Sequence, residues 1–469
     1  MAIPLASEYP SKKLGDRALE TTLRDRRQKL SRLVHCPVVL WSGRRLSRNF
    51  PANQYPFRAS SHFLYFAGVS LENAAVRLES GRLELFVDDP DPAEELWVGE
   101  MPKRHEMARL IGADAAFPLS ELGSRCEGAA TIAVQDGTTP SQQAQLLGRS
   151  LSSPTEPRGI DAELANAIVT LRSQHDTAAL SDIRTAVSAS IEAHKAGMKA
   201  TPNSNTEAQV RAAMEGVILS HNMTVAYNSI ITTHGEVLHN ERYDRALKPG
   251  DLLLADVGAE MPTGWASDIT RTWPVSGRFS ATQRDIYDVV LAAHDRAIAE
   301  VRPGVEYRNI HLLAARVIAE GLVNLGILIG NPDTLVETDA HALFFPHGVG
   351  HLLGLDVHDM EDLGDRAGYE KNRARSERFG LRFLRLHRPL LENMVVTIEP
   401  GFYQVPGILN NPQNREKYRQ VVNWERLEMF ADVRGIRIED DVLVTEDGSE
   451  VLTANLPTQA EAIEHLVRG

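Results

Sequence analysis

The chain has 469 residues, too many for one ordinary core, so two domains are expected. Its 43% hydrophobic and 24% charged residues are those of a soluble globular protein. A net charge of -13 argues against nucleic acid as a partner, since phosphate binding needs a basic surface, and no apolar run approaches the length that spans a bilayer.

The opening MAIPLASEYPSKKLGDR holds no apolar stretch of the signal-peptide kind. Residues 15–34 predict a charged amphipathic helix. Short β-like runs follow: PVVLW (37–41), FLYFAGV (63–69), AAVRLE (74–79) and RLELFV (82–87). Phe63 and Tyr65 are expected in the core. Helical patterns at 92–112 and 140–150 complete an α/β N-terminal domain over 1–165, and SSPTEPRGI (152–160) reads as a linker. Cys36 and Cys126 lie far apart and outside any CxxC or Cys/His cluster. Both are expected as reduced thiols in a reducing, cytoplasmic compartment, where the Asn222-Met223-Thr224 glycosylation pattern is chance.

Two long helices are predicted at 174–199 and 205–221, the second capped by Asn205 or Thr206. From Tyr227 the chain is strand-rich, with strands at 251–259, 266–275, 394–399 and 434–445 and helices near 280–301 and 306–326. This pattern points to an α+β C-terminal domain over 170–469, with 362–388 as a charged loop insertion. No period of an internal repeat is present.

Five side chains in this half suit hard divalent cations: Asp256, Asp268, His351, Glu399 and Glu439. Asp256 ends a buried strand, and a Gly/Pro turn leads to Asp268, so a hairpin can set the two acids side by side. Adjacent buried carboxylates repel unless a cation lies between them. The alternative is that one acid caps a turn while the other pairs with Arg271. FPHGVGHLLGLDVHD holds His347, His351 and His358. Gly348 and Gly350 argue against a helix there and for a loop entering a strand. Its glycine spacing is not that of a dinucleotide site. Glu399 ends an apolar strand before Pro-Gly, and period-two alternation puts Arg437, Glu439 and Asp441 on one face.

Together ADVG, SDITRTWP, HGVGHLLGLDVHD, TIEPG and GIRIEDD resemble the pita-bread metallopeptidases, and more closely the branch of aminopeptidase P and prolidase. The resemblance covers 170–469 in order and with compatible spacing. YPFRASSHFLYFAGV followed by ELWVGE is similar to that branch's N-terminal domain. The resemblance implies a pita-bread catalytic domain with five ligands, Asp256, Asp268, His351, Glu399 and Glu439, for two divalent cations. Mn²⁺ is the first expectation, with Co²⁺ or Zn²⁺ as alternatives. Asp268 and Glu439 are expected to contact both ions. Tyr227-Asn228-Ser229-Ile230 and Val237-Leu238-His239 match a further family pattern, so His239, His347 and His358 are implied as active-site histidines and Arg437 as the arginine before the last ligand.

The activity implied is hydrolysis of the bond between an N-terminal residue and proline by a metal-bridged hydroxide. Glu399 is the candidate general base, His358 or His347 the oxyanion donor, and His239 a contact on the prolyl side. Prolidase is the alternative: Arg385 falls where prolidases carry an arginine for the dipeptide carboxylate. Arg382, Arg385 and Arg388 also read as a solvated basic face. A catalytically inactive binding relative is the third reading, and the intact ligand set speaks against it. Proline-containing peptides are the expected partners, and the N-terminal domain is expected to support a homodimer or homotetramer.

Overall fold

The computed structural model describes residues 17–469, which form two units. The first holds the chain up to Ala178 together with 262–264 and 360–366; the second holds 179–261, 265–359 and 367–469. The opening stretch without a signal-like region, and the start of the helix expected over 15–34, lie outside the described residues. That helix is described over Arg17–Leu33.

In the first unit a four-stranded sheet runs in the order Val38–Trp41, Ala75–Glu79, Arg82–Phe86, Ala115–Phe117. The first three strands pair antiparallel and the last joins parallel. Val39, Trp41, Ala75 and Phe86 of the sheet pack with Leu122, Cys126 and Ala129 as a core. The strand at 115–117 was not expected, being too short to show an alternation.

FLYFAGV, expected as a strand, is helical instead, within Ser61–Ala67. All seven residues of that helix are buried. No solvent face imprints a helical period, and a short apolar run then reads like a strand. Two buried arginines of the first helix serve its C-terminal carbonyls: Arg26 Nη1 donates to Tyr65 O (2.9 Å) and Arg27 Nη2 to Phe66 O (3.0 Å). Gly68, left-handed at φ 72°, ends the helix. Burial lowers the Arg27 pKa to about 10. Phe63 and Tyr65 do lie in the core.

The helical pattern 92–112 resolves into Pro92–Val98 and Arg104–Leu110, separated by a stretch containing Gly99 and Pro102. The next predicted helix is Thr139–Leu147. A helix over Ile160–Arg172 was missed, although Leu164, Ala165, Ile168 and Val169 recur at helical spacing and are buried.

The long helix Thr177–Ala200 leads into the second unit, followed by Glu207–Ser220, Ala281–Ala299 and Tyr307–Asn324. Thr206 takes the N-cap position of the second without a side-chain capping bond, whereas Ser280 and Gln283 form a reciprocal capping box on the third. The sheets of this unit are antiparallel. One joins Ile230–Thr232, Leu252–Asp256 and Thr270–Pro274; another joins Val395–Ile398, Asp440–Val444 and Ser449–Val451; and Gly401–Tyr403 pairs with Gly435–Arg437. Single bridges at Thr270–Glu439 and Leu352–Val396 stitch these pieces together.

The strand expected over 434–445 is therefore two strands. The chain leaves one sheet after Arg437 and enters another at Asp440. Glu439 stands at the seam, its N–H donating to Thr270 O at 3.0 Å. The insertion 362–388 contains the short helix Asp365–Gly368 and otherwise mostly turns and irregular chain. Among the described residues, no helix is long and apolar enough to cross a membrane.

Candidate metal centre

Asp256 closes its strand, and Asp268 sits two residues ahead of the next. The antiparallel register places Thr270 opposite Asp256, so both acids come to the same end of the hairpin. The Tyr227 hydroxyl spans them, 2.5 Å from Asp256 Oδ1 and 2.5 Å from Asp268 Oδ1. The one hydroxyl proton is thus shared between two carboxylates. The alternative partner for these acids is excluded. Arg271 is fully buried and spends its donors on Asp440 Oδ1 (2.7 Å) and on the carbonyls of Thr270, Glu439, Leu456 and Pro457.

His351 arrives on a loop that only glycine can build. Gly350 has φ 154°, and a Cβ there would stand 2.1 Å from Thr397 O and 2.3 Å from Tyr307 Oη. Gly350→Ala is expected to destabilise the fold by about 3 kcal/mol, read from the midpoint of denaturant unfolding. A midpoint equal to that of the wild type would show that the loop is not constrained this way. The same crowding seats His351, whose N–H donates to Thr397 Oγ1 at 3.1 Å. Its Nδ1 lies 3.0 Å from Leu352 O, which sets the ring proton on Nδ1 and turns the Nε2 lone pair toward the carboxylates. Nε2 faces Asp268 Oδ2 at 3.5 Å and Glu399 Oε1 at 3.7 Å.

Glu439 accepts from Thr270 Oγ1 at 2.6 Å. Ligand atoms of Asp268, His351 and Glu439 all lie within 4.8 Å of one another. Arg437 runs along the back of the cluster, its Nη2 on Asp256 Oδ2, Nε on Thr270 Oγ1 (3.0 Å) and Nη1 on Tyr403 Oη (3.2 Å). Asp441, in the next strand, accepts the Asp268 N–H at 3.1 Å, so the break in the strand, not a single period-two face, relates it to Arg437 and Glu439.

One guanidinium thus faces four metal-type carboxylates in a buried setting. Burial, and then the Asp256 charge, push Asp268 up to about 8. Burial pushes Glu399 up to about 7 against the pull of His351 and Arg437. Burial, with Asp268 and Glu399 adding to it, drives Glu439 well above the carboxylate range. Such surplus negative charge is accommodated by protons or by cations. The oxygen-rich donor set with one imidazole fits divalent cations.

The other predicted residues lie around this cluster. The His358 ring stands 4.2 Å from that of His351. His347 is held through Nδ1 at Gly348 O (2.8 Å) and Nε2 at Tyr403 Oη (2.8 Å), with Nδ1 3.8 Å from Glu399 Oε2. Burial and then the Arg437 charge lower it to about 3, so it stays neutral. His239 is open to solvent on one side. The protein packed around it and the Arg437 charge still lower its pKa, and Asp256, Arg385 and His358 are its other charged neighbours. The three arginines do not form a single basic face. Arg382 is exposed over the rings of Phe379 and Phe383, Arg388 donates to Ala367 O (2.7 Å), and Arg385 is half-buried among the charges that bear on His239 and His347.

Tyr227, Thr270 and Tyr403 were not anticipated in these contacts. Tyr227 and Thr270 lie inside quoted motifs, Thr270 two residues after Asp268, whereas Tyr403 lies two residues beyond TIEPG.

The family model described as metallopeptidase family M24 matches residues 181–446, and the aminopeptidase P N-terminal domain matches 23–134. A probable Xaa-Pro aminopeptidase of Talaromyces stipitatus is 30% identical over 429 residues, covering 89% of each chain. An uncharacterized peptidase of Saccharomyces cerevisiae is 30% identical over 98% of this chain and 84% of its own. Among solved structures, aminopeptidase P from E. coli with the inhibitor Pro-Leu superposes with a TM-score of 0.78 at 27% identity, covering 96% of this chain and 98% of that one. With the M24 model spanning more than half of its length over the segments that assemble the acid and histidine cluster, this chain belongs to metallopeptidase family M24 and carries the N-terminal domain of aminopeptidase P.

Proposed function

We propose that the protein is a Xaa-Pro aminopeptidase, releasing the N-terminal residue from peptides whose second residue is proline. The observation that carries this reading is the buried convergence of Asp268, His351 and Glu439, with Glu399 beside them, in a chain whose relatives are named for that activity. Asp256, Asp268, His351, Glu399 and Glu439 would hold two divalent cations. When bound, such ions polarise the substrate carbonyl and make water a nucleophile near neutral pH.

Glu399 takes the proton of the attacking water and returns it to the prolyl nitrogen as the C–N bond breaks. His358, its ring 4.2 Å from that of His351, donates to the developing oxyanion. His239 contacts the substrate on the prolyl side. Arg437 neutralises Asp256 and orients Glu439 through the Thr270 hydroxyl. Proline has no N–H to satisfy, so an apolar surface accepts its ring without a lost hydrogen bond.

Arg385 favours a second reading, prolidase, because a guanidinium near His239 can grip the free carboxylate of a dipeptide. Mn²⁺ is proposed as the metal, on the oxygen-rich donor set. A catalytic domain over 170–469 and an N-terminal domain over 1–165 are proposed on the two family matches, and a homodimer or homotetramer on the likeness to aminopeptidase P. A cytoplasmic site is proposed on the free thiols of Cys36 and Cys126. The test is hydrolysis of a tripeptide Xaa-Pro-Yaa and a dipeptide Xaa-Pro by Mn²⁺-loaded protein, beside an EDTA-treated control. Metal-dependent cleavage of the tripeptide at the Xaa-Pro bond is expected. Cleavage of the dipeptide alone would replace the reading with prolidase, and cleavage of neither would remove both.

A further inference from the structure

The loop 232–240 carries His239 and is held by two buried carboxylates that no step of the reaction uses. At its base Glu207, on the helix Glu207–Ser220, accepts from Thr233 N (2.7 Å) and Thr233 Oγ1 (3.0 Å). Asn240 Nδ2 donates to Thr232 Oγ1 at 2.7 Å and closes the loop one residue beyond His239. At its crest sits Glu236, whose side chain is 5% exposed. Arg434 grips it with both arms of the guanidinium, Nε on Oε2 at 2.9 Å and Nη2 on Oε1.

At the same point the two backbones touch. A Cβ on Gly235 would lie 2.7 Å from Gly435 O, and a Cβ on Gly435 would lie 2.3 Å from Gly235 C. Gly435 opens the strand Gly435–Arg437. Arg434 immediately precedes that strand, its carbonyl accepting the Gln404 N–H at 2.9 Å. A single side chain therefore ties the His239 loop to the strand that delivers Arg437. The Arg434 side chain is 46% exposed while its partner is buried, an arrangement that adds little stability but fixes a geometry.

We propose that Glu236 and Arg434 are positioning residues for His239: their ion pair, seated on the Gly235–Gly435 contact, holds the His239 loop in register with the Arg437 strand. This rests on the reading of His239 as a substrate contact. The test combines Arg434→Gln and Glu236→Gln with His239→Ala in the metal-loaded, full-length protein. Either charge-neutral variant alone is expected to lower kcat/KM for Xaa-Pro-Yaa roughly 10- to 100-fold with metal content unchanged. In the His239→Ala background the same substitution is expected to cost less than about twofold, because the pair acts through that histidine. Equal losses in both backgrounds, or no loss in either, overturn the proposal.

Amide hydrogen exchange supplies a readout that does not depend on activity. Arg434→Gln, at the half-exposed end of the pair, is expected to quicken exchange over 234–240 by about tenfold or more while the sheets are unchanged. Unchanged exchange in that loop overturns the proposal. Should the wild type cleave no Xaa-Pro peptide, the functional reading falls and the exchange result alone decides the positioning role.

Discussion

Glu439→Gln is expected to abolish metal binding and hydrolysis together, and yet to stabilise the metal-free protein at pH 8. Glutamine keeps the volume at the seam between sheets and an oxygen for the Thr270 hydroxyl, which donates to Glu439 at 2.6 Å. It removes one charge from a buried group whose pKa is driven up by burial and by Asp268 and Glu399. A ligand of the cluster is lost, so turnover should drop by about four orders of magnitude or more. The metal-free variant no longer has to hold at Glu439 a proton that the unfolded chain releases at this pH, so its melting temperature at pH 8 should exceed that of metal-free wild type. Asp268→Ala should share the functional loss. Metal analysis, peptide hydrolysis and thermal unfolding with a chelator decide the matter. Full metal content with full turnover in Glu439→Gln would remove Glu439 from the ligand set.

The second large effect is the pH dependence of stability without metal. Asp268 and Glu399 are raised to about 8 and 7, and Glu439 and Asp441 lie well above their ordinary range through burial. In the unfolded chain such groups titrate near about 4. The folded state therefore binds more protons than the unfolded one between pH 4 and 8, and stability falls as pH rises through that window. Four desolvated histidines act in the opposite sense. His194 and His311 are lowered to about 4, and His341 and His347 to about 3, mainly by burial, so they penalise the fold as pH drops below their unfolded value of about 6.5. Asp440, held low by Arg271 and His294 despite its burial, matters only in strong acid.

Above pH 6.5 the lowered histidines are neutral in both states, and the raised carboxylates set the slope together with His294, which Asp295 and Asp440 raise against its burial. Metal-free protein is expected to lose melting temperature steadily from pH 6.5 to 8, each proton in play contributing about 1.4 kcal/mol per pH unit. Bound cations displace those protons, so the metal-loaded protein should show little slope and the gap between the two forms should widen with pH. A metal-free melting temperature that is flat or rising over this window would mean that the carboxylates do not converge as described.

Much of the site was legible in the residues alone because its chemistry is local. Asp256, Asp268, Glu399 and Glu439 each end or border an apolar strand; singly each is a weak signal, since acids commonly end strands, and the ordered series of motifs is what singles them out. The glycines beside His351 announced a loop rather than a helix, and Gly350 shows why: its φ and its contact with Thr397 O admit no side chain. The pairing of Asp256 with Asp268 followed from the hairpin, whose turn is encoded between the two strands.

What the residues could not reveal was decided by partners far away in sequence. Ser61–Ala67 is helical because Arg26 and Arg27, nearly forty residues earlier in the chain, serve its last carbonyls, and because complete burial erases the period that would have marked it. Arg271 reads as a neighbour for Asp268 but is drawn to Asp440 by a fold that brings 440 and 456–457 against it. The break between Arg437 and Asp440 arises because two different sheets compete for one stretch of chain, and it is this change of sheet that turns Glu439 toward Asp268 and His351. Hydrophobic pattern and motif spacing thus specify which groups exist and on which element they ride. Which carboxylate faces which cation or hydroxyl depends on long-range register and burial, and only the packed tertiary structure sets those.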